Sequence, residues 1–185
     1  MVDMGHVVID DIAARIGKEL LGSGISISTV EACTGGAVSA VLTLNPGSGE
    51  WFDRGFVAVS DEAKKKMLGV KATTLKKKGA VSQAALEEMI KGAIKKTKAT
   101  LVVAVGNMVE ESAATEGSPA GLVWLGWALD GHIEMTRMLF PGDAEAIRRG
   151  ATALALQGML VRILAWKEIH KKTTEDVGEE QNVVQ

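Results

Sequence analysis

The sequence predicts a three-layer α/β/α domain built on a mixed β-sheet. Three observations predict it. Segments with strand character alternate with segments that carry apolar residues at helical spacing. Leu101-Val102-Val103-Ala104-Val105 is a continuous apolar run, the pattern of a strand covered on both faces. Asp130-Gly131 joins two further apolar segments and is a good hairpin signal, so part of the sheet is antiparallel.

The elements follow in order. Met1–Gly5 reads as a loose terminus. Ile9, Ile12, Ile16 and Leu20 fall at helical spacing, and Gly22-Ser23-Gly24 ends that helix. Ile25–Val30 is β-branched and partly alternating, a first strand. It turns through Thr34-Gly35-Gly36 into a second helix, Ala37–Leu44, and Asn45–Gly49 is a turn cluster. Gly55–Val59 reads as a second strand, after which Ser60 can cap a helix starting at Asp61. Asp61 and Glu62 suit the positive end of that helix.

Thr73–Lys78 is a short helical turn closed by Gly79. Ser82 caps a longer helix whose Leu86, Met89, Ile90, Ala93 and Ile94 share one face. After the Leu101–Val105 strand, Gly106–Ala120 reads as a polar, irregular loop. Leu122–Leu129 and Ile133–Phe140 are the hairpin strands. Asp143 can cap the last helix, whose apolar side runs from Ile147 to Leu164. One domain is expected over residues 1–170, with a disordered, charged tail at 171–185.

Composition bounds the function classes. The 185 residues suit a single core, and 46% hydrophobic with 24% charged residues is ordinary for a soluble globular chain. The net charge of −2 gives no reason to expect nucleic acid or an anionic membrane as partner. The single cysteine, Cys33, cannot form an intrachain disulfide, which favours a cytoplasmic protein. No apolar run is long enough to span a bilayer, and Met1–Ile9 lacks the basic start of a signal peptide. No cofactor and no metal is expected.

The strand–corner–helix at Val30–Gly36 is the candidate site. Such a corner points N–H groups and a helix dipole into a crevice, and glycines let a ligand approach the backbone. Glu31-Ala32-Cys33-Thr34-Gly35-Gly36 resembles the Glu-Ser-Cys-Thr-Gly-Gly signature of the CinA C-terminal domain family, the nicotinamide mononucleotide deamidases. Further matches are Pro46-Gly47-Ser48, Trp51–Val57, Glu62-Ala63-Lys64, Leu68-Gly69-Val70, Gly79–Ser82, Val123-Trp124 and Phe140–Asp143. The resemblance covers about Ile12 to Leu164. It implies an amidohydrolase fold, a serine nucleophile paired with a lysine, and a homo-oligomer, most simply a two-fold dimer.

Four departures from the family pattern bear on activity. The nucleophile position reads Ala32, which cannot attack an amide. The place of a family tyrosine is Val59; the glycine loop after the apolar strand keeps only Gly106 and gains Glu110 and Glu111; and an arginine is replaced by Ala144. Lys64 matches the family base and needs a depressed pKa to act as one, while Lys64-Lys65-Lys66 also reads as a solvated helix face. Glu31 could pair Lys64, bind a ligand or serve structure alone. Cys33 should point away from the cleft as a small hydrophobe, and Arg148 and Arg149 read as surface charges. The ligand-binding candidates are Glu31, Thr34, Gly35, Gly36, Ser60 and Gly106, around Lys64 and the incompetent Ala32. The expectation is a catalytically impaired homologue that binds a nucleotide-like molecule or a protein; the alternative is an active amidohydrolase with a rearranged site.

Overall fold

A computed structural model describes residues 4–97, 99–108, 112, 114–116 and 118–182. The chain runs α1 (Met4–Leu20), β1 (Ile27–Glu31), α2 (Ala37–Thr43), a 3₁₀ turn (Ser48–Glu50), β2 (Phe52–Val57), α3 (Asp61–Leu68) and α4 (Ala72–Lys78). It continues through α5 (Gln83–Thr97), β3 (Leu101–Met108), β4 (Leu122–Leu129), β5 (His132–Leu139) and α6 (Ala144–Asn182). The five strands form one sheet in the order β2-β1-β3-β4-β5. β1 is parallel to β2 and β3, whereas β3, β4 and β5 pair antiparallel. The mixed sheet follows from connection length: α-helical crossovers link the parallel strands, and two residues link β4 to β5. At that tight turn Asp130 and Gly131 both take positive φ, 48° and 81°, as the twist of a two-residue hairpin requires.

Strand alternation divides the core in two. Leu101, Val103 and Val105 point to the side covered by α1, α2 and α6. Val102 and Ala104 point to the side covered by α3, α4 and α5. Both faces of β3 are therefore buried, which is why its sequence is unbroken by polar residues. Trp127 anchors α6 to the first side, its indole N–H donating to the Ala155 carbonyl at 2.9 Å.

Two expectations are corrected. β3 extends through Met108, so Gly106 lies in a strand and not in a loop; a register shift against β4 falls between Val105 and Met108. The tail expected to be disordered from 171 is helical as far as Asn182. Its Lys, Glu and Gln residues are good helix formers, and extending an existing helix carries no nucleation cost. Among the described residues, no helix is long and apolar enough to cross a membrane.

Candidate functional site

The site begins where β1 ends. Ala32 N–H still bonds to the Val105 carbonyl at 2.9 Å, so strand geometry persists one residue past Glu31. Consecutive strand side chains point to opposite faces. Ala32 accordingly joins the core under α3–α5, and Cys33 joins the core under α1, α2 and α6. The chain then turns through Gly35 and Gly36, with φ of 65° and 99°, into α2.

Glu31 is fully buried and fixes this corner. One carboxylate oxygen accepts from the Thr34 hydroxyl at 2.7 Å and from the Gly36 and Val38 N–H groups at 3.0 and 3.1 Å. The other accepts from the Ser39 N–H at 2.9 Å and the Ser39 hydroxyl at 2.6 Å. Ser39 in turn meets the Thr29 hydroxyl at 2.6 Å. A Cβ at Gly55 would stand 2.4 Å from the Ser39 hydroxyl oxygen, so the absence of a side chain on β2 makes room for this network. Of the roles open to Glu31, the structure supports the structural one. It holds the first amides of α2 that would otherwise face an anion. Among the described residues, the Thr34 and Gly35 N–H groups are left without an internal acceptor.

Lys64 lies on α3, whose first turn is capped by the exposed Ser60 hydroxyl accepting from Ala63 N–H at 3.1 Å. The run of three lysines is split by helix geometry. Lys65 and Lys66 pair with Glu62 at 2.5 and 3.3 Å, while Lys64 points inward and is completely buried. Its ammonium donates to the Val59 carbonyl, with the Asp61 carboxylate 3.8 Å away. Burial pushes its pKa below the ordinary lysine value; Asp61 opposes that shift. The amine is at the same end of the sheet as Ala32: Ala58 N–H bonds to the Glu31 carbonyl at 2.8 Å, and Val59 is the next residue.

Across the sheet, a cavity of about 610 Å³ opens between the ends of β3 and β5 and the start of α6. Asp143 caps α6 by accepting from Ala146 N–H at 2.8 Å. Ala144 and Arg148, one helical turn apart, both line this cavity. The Arg148 charge reaches Cys33, drawing its thiol pKa down, but burial dominates and raises it to about 11. Arg148 is exposed, as expected of a surface charge, and at the same time forms a wall of this cavity. The i, i+4 spacing from Ala144 was a signal available in the sequence.

The CinA C-terminal domain family matches residues 9–163, the span that holds every element of this arrangement up to Ile163 of α6. The chain belongs to that family. It is 40% identical over 154 residues to the nicotinamide-nucleotide amidohydrolase PncC of Escherichia coli K12, covering 83% of this chain and 93% of that protein. PncC of Pseudomonas putida is 36% identical over 152 residues, covering 82% and 95%. A competence damage-inducible protein A from Klebsiella pneumoniae superposes with a TM-score of 0.80 at 34% identity, covering 85% of this chain and 98% of that one.

Against the CinA pattern, the remaining candidates separate. Gly106 is buried in β3, where a Cβ would lie 3.1 Å from the Trp124 carbonyl oxygen. Its missing side chain serves strand packing there. Glu110 and Glu111, expected to oppose a phosphate, lie outside the described residues. Val59, in the family tyrosine's place, is exposed and contributes only its carbonyl to Lys64. Among the described residues, no group of three His, Cys, Asp or Glu side chains could hold a metal ion.

Proposed function

We propose that this CinA-family protein retains a ligand cleft of the nicotinamide-nucleotide amidohydrolase type but lacks the family's serine chemistry, and acts in the cytoplasm as a ligand-binding or interaction protein. The observation that carries this reading is the methyl group of Ala32 at the strand end, at the same end of the sheet as Lys64. Amide hydrolysis without a metal needs an attacking oxygen or sulfur. Cys33 does not supply it, because its thiol faces the opposite core and is held protonated by burial. Among the described residues, Lys64 donates to the Val59 carbonyl and is hydrogen-bonded to no hydroxyl.

The ligand is a nucleotide-like molecule with a phosphate. Arg148 supports this: it brings a guanidinium to the α6 cavity one turn beyond Ala144, where the family resemblance puts an arginine. The protein assembles as a homo-oligomer, most simply a two-fold dimer, as the family resemblance implies.

The test is a deamidation assay with nicotinamide mononucleotide, paired with calorimetric binding. The natural protein should bind without turnover, and Arg148→Ala should weaken binding about tenfold. Ala32→Ser should leave turnover negligible. Ligand positioning is worth roughly 7–11 kcal/mol and each oxyanion donor about 2.7–4 kcal/mol, so a hydroxyl alone restores little of the barrier reduction. The 40% identity to PncC favours a second reading, an amidohydrolase with a rearranged site. Turnover by the natural protein would establish it and end the first.

A further inference from the structure

The net charge of −2 averages two very different regions. Between Lys64 and Lys98 the sequence holds eleven lysines and only two acidic residues, Glu87 and Glu88. The remainder of the chain is correspondingly negative. The fold gathers this positive stretch on α3, α4 and α5, the layer on the opposite side of the sheet from the Arg148 cavity.

Packing brings the lysines together. A Cβ at Gly92 of α5 would lie 1.8 Å from the Leu68 carbonyl oxygen at the end of α3, so the two helices meet backbone to backbone. That approach draws Lys71, at the start of α4, toward Lys91, Lys95 and Lys96 around a cavity of about 410 Å³. α3 also contributes Asp61 and Glu62, the first 3.8 Å from the Lys64 ammonium and the second paired with Lys65 and Lys66, and the two acidic residues of α5 are engaged as well. Glu88 accepts from Lys71 N–H and the Thr74 hydroxyl, both at 2.8 Å, and Glu87 pairs with Lys91 at 2.5 Å. Lys76, Lys77, Lys78, Lys95 and Lys96 are exposed and, among the described residues, have no carboxylate partner. Lys76, Lys77 and Lys78 form the last turn of α4, shortly before α5 begins at Gln83, and Lys95 and Lys96 lie in the last turn of α5, a helix of about 22 Å at 1.5 Å per residue.

The chemistry of the face selects its partner. It extends past the cavity, which suits a polymer better than a compact ligand. Protein interfaces depend on buried aromatic, arginine or aliphatic anchors. This face presents little of that kind: no arginine occurs between Arg54 and Arg137, and among the described residues of α3–α5 Met67 alone is an exposed large hydrophobic, at 36%. Single-stranded nucleic acids are held on stacked aromatic side chains, and no aromatic residue occurs between Phe56 and Trp124. Flexible, point-like ammonium groups suit regularly spaced phosphates approached without base readout. We infer that the α3–α5 face docks the phosphate backbone of duplex nucleic acid, independently of sequence.

The test is fluorescence anisotropy of a labelled duplex of about 24 base pairs with the full chain. Contact with about four phosphates gives a log–log salt slope near −3.6, so affinity should fall about a hundredfold between 50 and 200 mM salt. Lys95→Gln with Lys96→Gln, and separately Lys76→Gln, Lys77→Gln and Lys78→Gln, should each flatten the slope and weaken binding at least tenfold. Both sets are at exposed positions, and unchanged thermal melts keep the comparison valid. Several results would overturn the inference: no binding at 50 mM salt, variants that bind like the natural protein, or tighter binding of the single strand. Tighter binding of a polyglutamate of equal charge would do so as well, pointing to an acidic protein.

Discussion

Replacing Glu31 tests whether one buried carboxylate holds the corner. The side chain accepts five hydrogen bonds, three from backbone amides and two from hydroxyls. Glu31→Ala strands the Gly36, Val38 and Ser39 amides at the buried start of α2. Each bond to a charged acceptor is worth about 1.5–3 kcal/mol, and each unsatisfied buried group costs about 1–3 kcal/mol. These terms do not add fully, since the hydroxyls rotate to other acceptors and water enters the gap, so the net loss should be about 4 kcal/mol. For a chain of this length each kcal/mol moves Tm by about 2–4 °C, giving a fall of about 8–16 °C. Glu31→Gln distinguishes shape from chemistry. Both carboxylate oxygens accept backbone N–H groups, and an amide NH₂ on either side would face donors with a donor. Glutamine should therefore cost nearly as much as alanine. Thermal and urea unfolding of the three proteins decide the matter. A Gln variant within about 1 kcal/mol of the natural protein would refute the reasoning.

Two further outcomes follow from buried ionisable groups. Cys33, with its thiol raised to about 11 by burial, should react slowly with a disulfide reagent at pH 8 in the folded state and at once after denaturation; fast stoichiometric labelling of the folded chain would contradict its orientation. Lys64→Met should stabilise the protein at neutral pH, because the pKa of Lys64 is lowered in the folded state by burial and the unfolded chain binds the proton more tightly. Stability of the natural protein should rise as pH passes the lowered value toward the unfolded lysine's 10.5, and the gap to Lys64→Met should close there; a gap constant from pH 7 to 10.5 would show that Lys64 does not titrate differently on folding.

Much of the frame was legible because it depends on local pattern. The caps at Ser60 and Asp143 and the Asp130-Gly131 turn appear where expected, and the alternation of strand and helix holds, although β2 occupies Phe52–Val57 and not the Gly55–Val59 expected. The opposite facing of Ala32 and Cys33 was legible too, since strand parity alone requires it. Gly106 was misread because its context, two polar-flanked residues after an apolar run, looks the same whether β3 stops or continues against β4. Only pairing with a strand fifteen or more residues later, Met108 against Val123, decides that.

By itself the sequence determined the fold class, the family and the absence of a nucleophile at residue 32, because periodicity, motif spacing and side-chain chemistry are properties of the chain alone. The tertiary structure decided what each charged residue is for. Lys64, Lys65 and Lys66 are chemically identical, and the packing of α3 against α5 sends one into the core and leaves two in water. Glu31 became a fixture of α2 because burial left its carboxylate no solvent and five donors. Arg148 became a cavity wall because α6 docks with one particular face toward β3 and β5. Charge costs free energy to bury unless it is paired, so its role is set by which surfaces meet, and that is a property of the assembled layers.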